Sequence, residues 1–228
     1  MYSDIIKCMI VFAIFCTALK LLSKFLNLKK KDIKGAIGEK RLQKKLEKVS
    51  QENKILQNVY LPKEKEPDKT TEIDSIMINK KGIFVFECKN YSGWIFGNEK
   101  QMKWTQMLNK YQKTKFYNPI KQNNTHIKAI KKILNDKKIQ QYYSIITFAS
   151  ENSELKKIEI ESENIYVIKV EYVPKIINQI CENTADVFTW EEVEHIYSTI
   201  VKNQVIGDDV KKKHIKNINE NIKHKNNN

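Results

Sequence analysis

The sequence predicts an α/β domain with a mixed central β-sheet flanked by helices. Three observations lead there. Residues 71–78 (TEIDSIMI) and 82–89 (GIFVFECK) read as two strands joined by a tight turn at Asn79-Lys80-Lys81-Gly82. Asn118 followed by Pro119 has the form of a helix N-cap with proline at the first helical position. Tyr142–Ala149 and Tyr166–Val173 then read as two further strands, and Thr189-Trp190-Glu191-Glu192 is a capping box that opens a last helix to about Lys202.

Taken in chain order, Ile5–Leu26 is mostly apolar, but Lys7, Lys20 and Lys24 interrupt it and leave only Cys8–Leu19 uncharged. That run is short for a spanning helix and suits a signal h-region. No small-x-small cleavage site follows it, Phe15 before Cys16 does not suit lipoprotein processing, and the flanking lysines can snorkel. The expectation is an uncleaved single-pass membrane anchor with its basic flank over residues 1–28, with a cleaved signal or an amphipathic helix as alternatives. Lys20, Lys24, Lys29, Lys30, Lys31 and Lys34 lie at or beyond its C-terminal end, whereas Lys7 alone marks its start. The positive-inside rule then sets the following domain on the cytoplasmic side of the cell membrane.

Residues 29–205 are expected to form the main domain, and the polar Lys/Asn-rich residues 206–228 a disordered tail. Gly35–Val49 has helical periodicity, with Glu39 on the same stripe as Leu42, Leu46 and Val49; a dipole-stabilised first-turn Glu is the alternative reading. Gly35 and Gly38 would let this helix approach a sheet closely. Ile55–Leu61 reads as a strand, Pro62–Thr70 as a charged loop, and Trp94–Gly97 as a short strand. Trp94, Trp104, Tyr111, Phe116 and Tyr117 follow as an aromatic cluster, read by default as core and otherwise as a stacking surface for an unpaired base. The helix from Asn118 is expected to reach about Lys138, with Ile127, Ile130, Ile133 and Leu134 as its apolar face. Lys121, Lys128, Lys131 and Lys132 make much of the rest basic, as a solvated face or as a rail for a nucleic-acid backbone. Gln122 and His126 lie one turn apart on it, and His126 reads as a packing or supporting residue rather than a ligand.

The chemistry concentrates in the hairpin. If Ile78 pairs with Ile83, Asp74 falls opposite Glu87 with Cβ atoms roughly 5 Å apart, a separation at which like charges destabilise a sheet. Alternation puts Asp74 on the face of Ile76 and Ile78, and Glu87 and Lys89 on the face of Ile83 and Val85. Two acids and a lysine thus point together from an apolar surface, where an unpaired charge is costly. A divalent cation between the carboxylates makes the arrangement tolerable, as in a metal-dependent phosphodiesterase; acids that merely end strands are the other reading.

Composition narrows the partners. Forty-one Lys and Arg against 27 Asp and Glu give a formal charge of +14, which suits a polyanion such as nucleic acid or a membrane surface. Arg41 is the only arginine, which argues against base-specific readout and leaves nonspecific backbone contact. The four cysteines, Cys8, Cys16, Cys88 and Cys181, have neither metal-ligand spacing nor the form of a disulfide framework. No repeat, P-loop, zinc cluster or nucleophile elbow is present.

Gly38-Glu39, Ile73-Asp74, the run Gly82–Gly93, Trp104 and Asn118–Gln122 resemble, in order and spacing, the successive motifs of the NERD (nuclease-related domain) family, over about residues 34–134. That family is assigned to the PD-(D/E)XK nuclease-like superfamily. The resemblance implies a restriction-endonuclease-like core in which Asp74 and Glu87 bind the metal, Lys89 assists the attacking water, and Glu39 and Gln122 complete the site. Ser75 stands where a His is often expected in the family. The implied function is a membrane-tethered nuclease that hydrolyses DNA with Mg²⁺ or Mn²⁺, binding DNA nonspecifically. A membrane-anchored nucleic-acid-binding or scaffold module without catalysis is the runner-up, and a secreted nuclease the third reading.

Overall fold

The computed structural model of the chain describes residues 2–205; the tail expected over 206–228 lies outside them. The chain divides into two compact units at Ile37/Gly38. The first helix, α1, is assigned over Tyr2–Leu46. Among the described residues, no helix is long and apolar enough to cross a membrane. The expected N-terminal membrane helix, and with it the membrane as a partner, is therefore not supported. The reason is visible in the lysines: the uncharged run Cys8–Leu19 spans roughly 18 Å at 1.5 Å per residue, against about 30 Å of hydrocarbon.

The second unit is a mixed α/β fold with two sheets. Strands β1 (Lys54–Pro62), β2 (Thr70–Asn79), β3 (Gly82–Lys89), β7 (Tyr142–Phe148) and β9 (Ile165–Lys169) form a five-stranded sheet in that spatial order. β1, β2 and β3 pair antiparallel, whereas β3–β7 and β7–β9 are parallel. Helix α2 (Pro119–Leu134) makes the crossover from β3 towards β7 that a parallel pair requires. One face of the sheet, including Ile76, Ile78, Ile83 and Val85, packs against Ile127 and Ile130 of α2 and Val193, Ile196 and Ile200 of α4 (Trp190–Asn203). The other face, including Met77, Phe84 and Phe86, packs against Leu42 and Leu46 of α1 and Val173 and Ile177 of α3 (Val173–Glu182). Fully burying each such side chain contributes roughly 1.5–3 kcal/mol.

The second sheet has the order β6-β5-β4-β8, from β4 (Gly93–Asn98), β5 (Lys103–Asn109), β6 (Gln112–Tyr117) and β8 (Ser153–Glu159). Only β4 was expected from sequence. β5, β6 and β8 are polar, and β5 buries Trp104 alone, so they lack the apolar alternation that marks a strand. Trp104 joins this sheet to the core with Ile95, Ile120, Ile146 and Phe148. Gly97 makes room for it, since a Cβ there would come within 2.1 Å of the indole.

Helix and strand boundaries differ from expectation in places. Helix α2 stops at Leu134 rather than near Lys138 because Asn135 takes a left-handed φ of 47° and its N–H caps the Lys131 carbonyl. The expected strand Tyr166–Val173 ends at Lys169, and Val173 starts α3 with Pro174 in its first turn. The β-branched run there masked a helix start that the sequence reading missed. The N-caps Asn118 and Thr189 bond as expected: Asn118 accepts from Ile120 N, and Thr189 and Glu192 form the reciprocal capping box.

Candidate active site

The β2–β3 hairpin turns through Lys80 and Lys81, with Asn79 Oδ1 accepting from Lys81 N at 2.9 Å. Gly82 follows at φ +145°, where a Cβ would come within 2.9 Å of the Gln141 carbonyl. Ile78 pairs with Ile83 and the ladder continues to Ser75–Phe86. The next position in that register sets Asp74 against Glu87, and there the ladder lapses. It lapses on the other side too: β1 pairs Gln57 with Ser75 and Val59 with Ile73, while Asn58 between them adopts φ +50°. Asn tolerates that left-handed conformation better than most residues. With no ladder partner at this point, Cys88 N–H donates to Asp74 Oδ2 at 2.6 Å. Opening the strands at two facing carboxylates relieves their repulsion and supplies one of them with a donor.

Glu87 is 1% exposed, and both its oxygens are engaged. Oε1 forms an ion pair with Lys89 Nζ, and Oε2 accepts from His126 Nε2 at 2.9 Å. On the other side of the ring, His126 Nδ1 lies 2.8 Å from the Thr71 hydroxyl, a hydrogen-bond distance that holds the imidazole in place. Lys89 also donates to Gln122 Oε1 at 3.1 Å. Helix α2 thus delivers Gln122 and His126 to the acidic cluster from one face. Asn123 Nδ2 anchors that helix on the sheet by donating to the Val85 carbonyl at 2.8 Å and to Ser144 Oγ at 2.9 Å.

The environment splits the two acids. Burial, reinforced by the charge of Glu87, pushes the Asp74 carboxyl well above its usual range, with Lys89 and the Cys88 amide opposing. Burial also pushes Glu87 upward, but Lys89 and His126 together outweigh it and hold Glu87 below the usual range. Burial would lower the Lys89 ammonium, yet Glu87, Tyr91 and Asp74 raise it, so it stays charged. Burial and the charge of Asp74 push the Cys88 thiol up to about 12, which leaves it without thiolate character.

Glu39 comes from the C-terminal part of α1. The buried stripe there is Gly38, Leu42 and Leu46; the helix ends at Leu46, short of the expected Val49, which is buried just beyond it, and Glu39 lies half-buried beside the stripe rather than on it. Gly38 seats the helix on the sheet: a Cβ at that position would come within 3.0 Å of Asn90 Cβ and 3.3 Å of Ala149 Cβ. The charge of Glu39 reaches Asp74, Cys88 and Tyr60, raising the pKa of each.

Beside these groups lies a cleft of about 440 Å³, lined by Lys63, Thr71, Glu72, Asp74, Tyr117, Gln122, Thr125 and His126. The sequence assigns Thr71 and Glu72 to the strand but not to the site. Glu72 accepts from the Tyr60 hydroxyl at 2.5 Å. The signal for it was available, because a residue two before Asp74 shares its face of the strand. Of the α2 lysines, Lys121 is half-buried and Lys128, Lys131 and Lys132 are exposed. Lys131 Nζ lies 4.6 Å from the centroid of the Tyr142 ring, and Lys132 donates to the Glu64 carbonyl at 3.3 Å. Among the described residues, no group of three or more His, Cys, Asp or Glu side chains could hold a metal ion.

Comparison with known proteins fits this geometry. The chain is 37% identical over 187 residues to an uncharacterized protein of Bacillus anthracis, a match that covers 80% of this chain and 82% of that relative. No solved structure matches the chain. The family model of the nuclease-related domain matches residues 34–149, which contain the hairpin, the cleft and helix α2. The chain therefore belongs to the NERD family, within the PD-(D/E)XK-like nuclease superfamily.

Proposed function

We propose that this chain is a metal-dependent nuclease that hydrolyses DNA phosphodiester bonds at the cleft beside Asp74. One observation carries the reading: the ladder opens where Asp74 would face Glu87, the charge of Glu87 acts on Asp74, and Lys89 and Gln122 are hydrogen-bonded to each other beside them. The donor set suits a hard cation. Asp74, Glu87 and the Gln122 amide offer oxygen, and Mg²⁺ or Mn²⁺ sites commonly use one or two carboxylates, with water and substrate phosphate completing the shell. A cage of three acids is therefore not required. Asp74 and Glu87 would hold the ion, and such an ion would polarise a scissile phosphate and lower the pKa of water.

The other roles follow from the contacts. Lys89, held between Glu87 and Gln122, orients the attacking water or neutralises charge that builds on the phosphate. His126 fixes the second oxygen of Glu87 and is itself held by Thr71. Glu39 adds a further acid at the edge of the site, and Lys121, Lys128, Lys131 and Lys132 along α2 supply contacts to the nucleic-acid backbone.

A second reading has its own observation. Both oxygens of Glu87 are already bonded within the protein, so the network is internally neutralised, as a nucleic-acid-binding module without catalysis would have it. Incubating the full chain with plasmid and single-stranded DNA in Mg²⁺, Mn²⁺ or EDTA separates the two. The nuclease cleaves with metal and not in EDTA, and Asp74→Ala or Glu87→Ala lowers the rate by about 10² to 10³ or more. Salt-dependent binding survives in both variants, since it comes from lysines on phosphates. Binding with no cleavage in either metal favours the second reading, and undiminished cleavage in both variants puts the chemistry elsewhere.

A further inference from the structure

The outer face of the second sheet carries charge unevenly. In the β6-β5-β4-β8 order, β8 and β6 are its two edges. At the β8 edge the lysines are neutralised locally: Lys156 pairs with Glu154 at 2.7 Å and Lys157 with Glu159 at 3.3 Å. At the other edge, residues 103–117 contain Lys103, Lys110, Lys113 and Lys115 and no acid at all. Lys103, Lys113 and Lys115 are exposed and form no ion pair among the described residues.

Strand register gathers these three on one face. Phe116 turns inward with Trp104, its partner in the ladder, so Lys113, Lys115 and Tyr117 project outward. Lys103 pairs with Tyr117 and faces the same way. Lys113 and Lys115 then stand roughly 6.8 Å apart along the strand, and Lys103 is a diagonal neighbour of Lys115 at roughly 7–8 Å. Such a group repels itself unless an anion relieves it. Lysines on an edge strand also guard against edge-to-edge pairing, but that role does not account for the hairpin tip. There Tyr111 is 85% exposed, with Lys110 Nζ 4.9 Å from its ring centroid.

We propose that this face of the β5–β6 hairpin is a nucleic-acid-binding surface that leads a strand into the cleft. Lys103, Lys113 and Lys115 take backbone phosphates, and Tyr111 stacks on an unpaired base. The inference rests on the nucleic-acid reading of the site and adds to it a contact surface separate from α2. Continuity identifies the occupant: Tyr117, the last residue of the hairpin, lines the cleft that Asp74 and Gln122 line. An anionic lipid surface matches the charge but not that junction.

The test is fluorescence anisotropy of the full chain in EDTA with labelled single-stranded and duplex DNA over a NaCl series, beside sedimentation with vesicles containing phosphatidylserine. Replacing Lys103, Lys113 and Lys115 together by Gln should weaken single-strand binding about tenfold or more and flatten the slope of log K against log salt by about 2. Tyr111→Ser should weaken single-strand binding about tenfold and leave duplex binding within about twofold. This exposed position keeps the question answerable if the triple variant folds poorly. Wild-type slope and affinity in the triple variant overturn the hairpin proposal alone. Loss of vesicle binding with DNA binding intact overturns it in favour of a lipid surface. A wild-type chain that binds no DNA overturns the nucleic-acid reading of the site, and this inference with it.

Discussion

Two hairpins in this chain turn in the same way and live in opposite surroundings. β2–β3 turns through Asn79-Lys80-Lys81-Gly82, and β5–β6 through Asn109-Lys110-Tyr111-Gln112. In each, the first Asn folds its side-chain oxygen back onto the turn: Asn79 accepts from Lys81 N at 2.9 Å, and Asn109 from Tyr111 N at 3.0 Å and Gln112 N at 2.9 Å. The flanking strands then diverge. β2 and β3 are covered on both faces by helices, so their charges must be answered within the protein, and Glu87 is bonded on both oxygens. β5 and β6 leave one face to solvent, and among the described residues their lysines form no ion pair. Turn chemistry is local, but whether a charge is answered inside the fold or left facing solvent depends on what covers the strand.

Breaking the buried half of this comparison should have the largest effect. Glu87→Ala leaves Lys89 and His126 without their shared carboxylate, and removing one partner of a buried pair costs about 3–5 kcal/mol. Urea unfolding of the metal-free protein measures it, and a loss below about 1 kcal/mol would mean the pair is solvated. Glu87→Gln, which keeps hydrogen bonding, should cost less.

The next effect separates the two acids by pH. The proton on Asp74 is held more tightly in the folded than in the unfolded chain, because burial and the charge of Glu87 raise it. Metal-free stability should therefore fall as pH rises from the ordinary aspartate range, near 3.9, through the raised value of Asp74. Glu87, held low, works in the opposite sense: its contribution is present above the ordinary glutamate range and is lost as pH drops towards its lowered value. Asp74→Asn should flatten the decline and stabilise the metal-free protein at neutral pH. Urea midpoints between pH 5 and 8 in EDTA decide the matter, and superimposable profiles for variant and wild type would refute the repulsion. The smallest effect belongs to the solvent-facing hairpin, where Tyr111→Ser should change unfolding stability by no more than about 0.5 kcal/mol while altering strand binding.

Legibility followed the same division. The β2–β3 register, the Asn118 cap and the Thr189 capping box were all readable, because each rests on residues within a few positions of one another. The β5–β6 hairpin was not, although its Asn turn resembles that of β2–β3, since its strands show one buried side chain, Trp104, instead of an alternating pattern. At the N-terminus an apolar run suggested a membrane anchor, but its interrupting lysines leave no helix among the described residues long and apolar enough to span.

By itself the sequence determined the facing of Asp74, Glu87 and Lys89, because strand alternation and a two-residue turn leave them no other face. It also determined that Gln122 and His126 share one side of a helix, one turn apart. Only the tertiary structure decided which of these groups touch. His126 bonds Glu87 across a sequence separation of 39, and Thr71 meets His126 across 55. Those contacts depend on how α2 is seated on the sheet, which Asn123 sets through Val85 and Ser144. Local rules fix where a side chain points along its own element; the packing angle between elements, set by the whole core, fixes what it meets.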